Sequence, residues 1–135
     1  ASRAENISKI VRPGVTDGRI VISDRFDAST YAYQIGENPE LEDLFWLSRD
    51  TCLQDITPVY LDFDVSLGVA KERAKSRLES NHFDHWDDAQ RKRTRSFYDR
   101  FFGNKRVKFV KVDADLPEDQ LVSRAMGALE VALSL

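Results

Sequence analysis

Residues 19–34 read RIVISDRFDASTYAYQ, an apolar run passing into a polar helical one. Its first part is a short run rich in Ile and Val that ends in charge, the pattern of a strand buried on both faces of a parallel sheet. A polar helical piece follows around ASTYAYQ. The same alternation recurs downstream. PVYLDF (58–63) repeats the buried-strand pattern, and VSLGVAKERAKSRLES after it has Ser66 as its N-cap and strong helix propensity. VKFVKVD (107–113) leads through ADLP into an amphipathic helix, Glu118 to Leu133, apolar at Leu121, Val122, Ala125, Leu129 and Ala132. Strands alternating with helices predict an α/β fold, a parallel sheet flanked by helices, with ligands beyond the carboxyl ends of the strands. Those ends are Asp24, Asp62 and Asp113.

The connecting pieces fit this scheme. Ala4, Ile7 and Val11 recur at helical spacing until RPGVTDG, where Pro13 and two glycines predict a stop. A glycine and proline break follows Gln34, and a second helix runs from Glu40 to Leu53 with Leu41, Leu44, Phe45 and Leu47 on one side. Residues 80–86 have no clean period and read as a loop. DDAQRKRTRSFYDRFF after them is helical, with Phe97 and Phe101 one turn apart.

The 135 residues, 41% hydrophobic and 32% charged, suit a single domain over 1–135. A net charge of -3 gives no field for a nucleic-acid polymer, although a few local arginines suffice for a small anion. The lone Cys52 excludes an internal disulfide, and no stretch is apolar over 18 residues or patterned as a signal peptide. The expectation is a soluble, reducing, cytoplasmic setting with no membrane partner. Ala1 opens directly into a helix-like run without an initiator methionine, which reads as a fragment.

The chemistry concentrates after the first strand, where Asp24 and Arg25 enter the crevice side by side and Ser29, Thr30, Tyr33 and Gln34 follow on the next turn. Arg25 can fork two N–H donors onto phosphate oxygens, and Asp24 can hold that guanidinium or a magnesium-bound water. A plain structural ion pair fits the same two residues. HFDHWDD (82–88) is a weak zinc signal, and no metal ligand is assigned. RKRTR (91–95) reads as a solvated helix face.

DRF, then ST, then AYQ at this spacing resembles the thymidylate kinase family, whose pattern is an Asp-Arg-aromatic or Asp-Arg-His triplet followed by Ser-Thr-x-Ala-Tyr-Gln. The resemblance extends over the chain: ASRAENISKIVRPGVTDGRIVISDR upstream, TPVYLDFD, the ERAKSRLESNHFDHW segment as a lid at about 78–88, RTRSFY after it, and VKVDADLP as the last strand and adenine-side loop. It implies a three-layer fold like that of the P-loop kinases, and a reaction moving the γ-phosphoryl group of ATP, with Mg2+, to dTMP to give dTDP. Arg25 would bind the dTMP phosphate with Asp24 organising that site. Phe26, Ser29, Thr30, Tyr33 and Gln34 would lie along the nucleoside, and Arg3 would face the thymine ring. Arg73 and Arg77 would approach ATP phosphates or adenine, Arg77 acting with Arg25 and Asp24 in catalysis, and Asp113 and Ala114 would sit on the adenine side. The family is usually dimeric, which implies a homodimer.

Two departures stand out. NHFD replaces the family's DRIE, so His82 takes the place of a lid arginine, and a neutral imidazole is a poor charge stabiliser at pH 7. The sequence also contains no G-x-x-x-x-G-K-[ST] to cradle donor phosphates. The N-terminal strand and phosphate loop are therefore expected in roughly 60 to 80 further residues, the length of two βα units, and the 135 residues alone are expected to be inactive. Another deoxynucleoside monophosphate kinase, or a catalytically dead nucleotide-binding or interaction module, are the alternative readings.

Overall fold

The computed structural model describes residues 3–77 and 85–134. The first helical run comprises α1 (Arg3–Asn6), a π-helical turn Ile7–Val11 and α2 (Arg12–Thr16). It does not stop at Pro13 as the sequence pattern predicts. Pro13 directly follows the π-helical turn, so the ring sits where the bonding pattern of a continuous helical backbone is already widened. The stop comes at Gly18, whose φ of 76° is the left-handed conformation glycine adopts without steric cost. There the Gly18 amide donates to Val15 O at 2.9 Å and the Arg19 amide to Gly14 O at 3.0 Å, the paired bonds of a Schellman C-cap.

The sheet has two parallel strands, β1 (Val59–Asp64) and β2 (Lys108–Asp113), in register from Val59 opposite Lys108 to Asp64 opposite Asp113. Residues 19–24, expected as a third strand, form no ladder with either among the described residues, and Ile20 and Ile22 are 63% and 85% exposed. An apolar run records a preference for burial, but a strand also needs a neighbouring edge to hydrogen-bond along. Here the segment leads as irregular chain into α3 (Asp27–Thr30), which continues through the π-helical turn Tyr31–Ile35.

Between the strands lie α5 (Leu67–Lys75), capped by Ser66 accepting from the Val69 amide, and α6 (Asp88–Phe102), started by a capping box between Asp87 and Gln90. α7 (Glu118–Leu133) ends the chain at the predicted boundaries and packs back on both strands. Tyr60 and Phe109 share one sheet face and meet α6, Phe109 stacking on Phe102 at 4.9 Å, while Val110 lies on the other face beside α7. Helices therefore cover both faces of the sheet, and the α/β class follows the sequence pattern.

The core is mostly aromatic: Tyr31, Phe45, Trp46, Phe101 and Phe102, with Tyr60 and Tyr98 packed against it. Trp46 stacks on Phe101 with centroids 5.6 Å apart. α4 (Glu42–Cys52), entered through a 3-10 turn Pro39–Leu41, turns Phe45, Trp46 and Arg49 inward. Leu41, Leu44 and Leu47, grouped with Phe45 by the sequence pattern, are exposed instead. The two aromatic rings bury more apolar area than the leucines and so set the rotation of the helix. Among the described residues no helix is long and apolar enough to cross a membrane.

Candidate functional site

The turn from residue 24 to residue 27 is built around one unusual backbone conformation. Arg25 has φ 62°, in the left-handed region, and its carbonyl accepts from Ser23 Oγ at 2.8 Å. A non-glycine residue there costs free energy and persists only where its surroundings fix it, and such positions cluster at ligand sites. Asp24 and Arg25 are both exposed at this turn, and Phe26 follows half-buried.

α1 closes over the same spot. The Arg3 guanidinium donates to Thr30 Oγ1 and stands 5.6 Å from the centroid of the Phe26 ring. Residues 27 positions apart in sequence thus present a planar cation, a ring and a hydroxyl to one place. On the other flank of the helix, Ser29 Oγ and the Tyr98 hydroxyl are hydrogen-bonded at 3.0 Å. Tyr33 meets Tyr98 edge-on at 6.0 Å and Trp86 edge-on at 5.9 Å. Burial first, and then the neighbouring Tyr98 hydroxyl, pushes the Tyr33 phenol up to about 12, while the positive charge of Arg25 pulls the other way. Tyr33 is therefore a neutral hydrogen-bonding group at physiological pH, within the electrostatic reach of Arg25. Gln34 is exposed, and its backbone carbonyl accepts from the Asn38 backbone amide at 3.0 Å.

At the strand ends a second group forms. Arg73 on α5 donates through Nη1 to Ala114 O at 2.7 Å and through Nη2 to Leu116 O at 3.0 Å, so it clasps the loop that follows β2. Within that loop Asp113 accepts from the Asp115 amide, and Asp115 accepts from the Ser66 amide at 2.7 Å. Arg73 and Ala114 are thereby in contact through the guanidinium. Arg77 is not one turn along the same helix face, because α5 ends at Lys75, with Ser76 as C-cap and its hydroxyl bonded to Arg73 O. Serine competes for backbone carbonyls at such positions and favours termination over continuation. His82 and most of the expected lid lie outside the described residues.

The comparisons with known proteins agree with one another. The family model for thymidylate kinase matches residues 1–125. The chain belongs to the thymidylate kinase family. A curated relative, the thymidylate kinase of Teredinibacter turnerae (strain ATCC 39867 / T7901), is 34% identical over 137 aligned positions, covering 98% of this chain. The chain spans 65% of that relative's length.

Within this member of the thymidylate kinase family, three features of the site were not singled out from sequence. Trp86 and Tyr98 wall the Tyr33 side although they lie in and after a segment read as loop and solvated helix. Arg95, in the run read as a solvated face, makes a two-pronged ion pair with buried Asp62 at 2.8 and 2.6 Å and so fixes α6 to the end of β1. The third is buried charge behind the turn: Arg49 Nε donates to Asp27 Oδ2 at 2.6 Å. A signal for it existed, since Arg49 stands three and four residues after Trp46 and Phe45 and must share their inward face.

Proposed function

We propose that the full-length protein is a nucleoside monophosphate kinase that transfers the γ-phosphoryl group of ATP to dTMP. A phosphate oxygen of dTMP attacks the γ-phosphorus in line, the bond to the β–γ bridging oxygen breaks, and dTDP and ADP leave. Magnesium enters with ATP as part of that substrate. The observation that carries the reading is the convergence of Arg3, Phe26 and Thr30 beside the left-handed turn at Arg25.

In this reading Arg25 takes the acceptor phosphate with a planar fork suited to two oxygens, and Asp24 beside it orders that end of the site. Phe26 and Arg3, in contact with each other, flank the base from one side, with Arg3 donating to a ring carbonyl. Ser29, Thr30, Tyr33 and Gln34 line the nucleoside, and Tyr98 and Trp86 keep Tyr33 in place. Arg77, with His82 in the position of a lid arginine, faces the transferring phosphoryl group, and the loop held by Arg73 flanks adenine. The chemistry is then positioning and charge neutralisation, as is general for phosphoryl transfer.

A panel of nucleoside monophosphates with MgATP tests this in the full-length protein. Thymidine monophosphate should be turned over with the highest kcat/KM, and Arg3→Ala should lower that value by roughly tenfold or more while affecting the cytidine analogue less. Equal turnover of all bases would assign the protein to a broader deoxynucleoside monophosphate kinase. No turnover of any would remove the kinase reading in favour of a binding module.

A further inference from the structure

Behind the substrate helix lies a closed ring of three side chains from three elements. Arg49 from the middle of α4 donates to one Asp27 oxygen at 2.6 Å, and the Tyr60 hydroxyl from β1 donates to the other. Arg49 Nη2 completes the ring to the Tyr60 oxygen at 3.3 Å. Asp27 is 1% exposed and Arg49 9%, and the guanidinium also lies 5.7 Å from the Trp46 ring and 6.0 Å from the Phe101 ring.

An ion pair set in an aromatic core loses solvation that its mutual attraction recovers only in part, and apolar side chains of the same volume would hold such a core at least as well. What apolar packing cannot do is fix the direction of one residue. Asp27 opens α3, two residues after Arg25 with its left-handed φ and two before Ser29. A backbone conformation of that kind persists only where its surroundings over-determine it, and the ring is the rigid attachment nearest to it.

We propose that Arg49 and Tyr60 are positioning residues for the acceptor site: by gripping Asp27 they hold the turn at Arg25, and with it the Phe26 contact to Arg3, in the geometry a nucleoside monophosphate needs. The inference rests on the functional reading given above. Neither residue touches substrate. Their effect reaches it through Asp27 alone, and the donor nucleotide should not sense them.

The test uses Arg49→Lys, which keeps the charge and loses the fork, and Tyr60→Phe, which loses one hydroxyl, both in the full-length protein. KM for thymidine monophosphate should rise roughly tenfold in each, the scale expected from a small misplacement of a binding group. KM for ATP should stay within about twofold and the far-UV circular dichroism should be unchanged. Amide hydrogen exchange across residues 23–30 should accelerate in both variants with or without nucleotide. Folded variants with parental KM and parental exchange would overturn the proposal and leave the ring as a stability element. Should Arg49→Lys fail to fold, Tyr60→Phe decides by the same criteria. A parent that shows no saturable response to thymidine monophosphate would refute the functional reading instead, and exchange at residues 23–30 would still decide whether the ring holds the turn.

Discussion

Tyr31 and Tyr33 differ by two positions, face opposite ways, and both hold their protons far beyond the ordinary phenol value near 10. For each the first cause is burial; Glu42, which accepts from the Tyr31 hydroxyl at 2.6 Å, adds to it in one case and Tyr98 in the other, bringing both to about 12. Tyr60 is raised further, by burial and then by the Asp27 carboxylate. Because the folded value lies above the unfolded one, the associated stability is complete below pH 10 and is lost as pH climbs through 12. Ultraviolet titration should therefore show Tyr31, Tyr33 and Tyr60 ionising only above pH 11, together with unfolding. Ionisation of Tyr31, Tyr33 and Tyr60 near pH 10 in folded protein would contradict the aromatic packing around these three residues.

At the scale of elements, what the sequence expressed through periodicity was legible, and what depended on a partner was not. α7 and the two paired strands lie where their apolar runs place them, but the strands expected to be buried on both faces are covered only in part, with Asp62 and Val112 their buried residues. Residues 19–24 have the same composition but no ladder, because pairing depends on a neighbour that the segment itself cannot encode. The sequence pattern around α4 groups Leu41, Leu44, Phe45 and Leu47, whereas the folded helix turns Phe45, Trp46 and Arg49 inward, so the charge of Arg49 hides the true inward side. In the candidate site Arg25, Phe26 and Thr30 are visible as parts of one motif and Arg49 through its spacing from Phe45 and Trp46, whereas the approach of Trp86 to Tyr33 depends on packing between segments distant in sequence.

The contact between α6 and the turn Tyr31–Ile35 supplies a prediction at this scale. A Cβ on Gly36 would fall 2.4 Å from the Phe97 ring and 2.8 Å from Ala32 O. The ring can move a little, but the carbonyl belongs to the helix itself, so Gly36→Ala overpacks this junction. Overpacking of this kind costs about 1–3 kcal/mol. Urea denaturation of parent and Gly36→Ala should show that loss in the midpoint at constant m-value, and an unchanged midpoint would show that α6 does not sit so close.

For the molecule as a whole, the turn at Arg25 and the strand-end loop are separate pieces joined through β1. Tyr60 reaches the turn at Arg25 through Asp27, and Asp62 two residues later holds α6 through Arg95. The sheet thus sets the distance between the helices that frame the site. What this frame presents at Arg25 is measured directly by calorimetric titration of thymidine monophosphate into the full-length protein. The parent should bind saturably, and Arg25→Ala should lose affinity by about 150-fold or more, the scale of two charged hydrogen bonds, with unchanged circular dichroism. Equal affinity for parent and Arg25→Ala would contradict the assignment of this turn as the phosphate site.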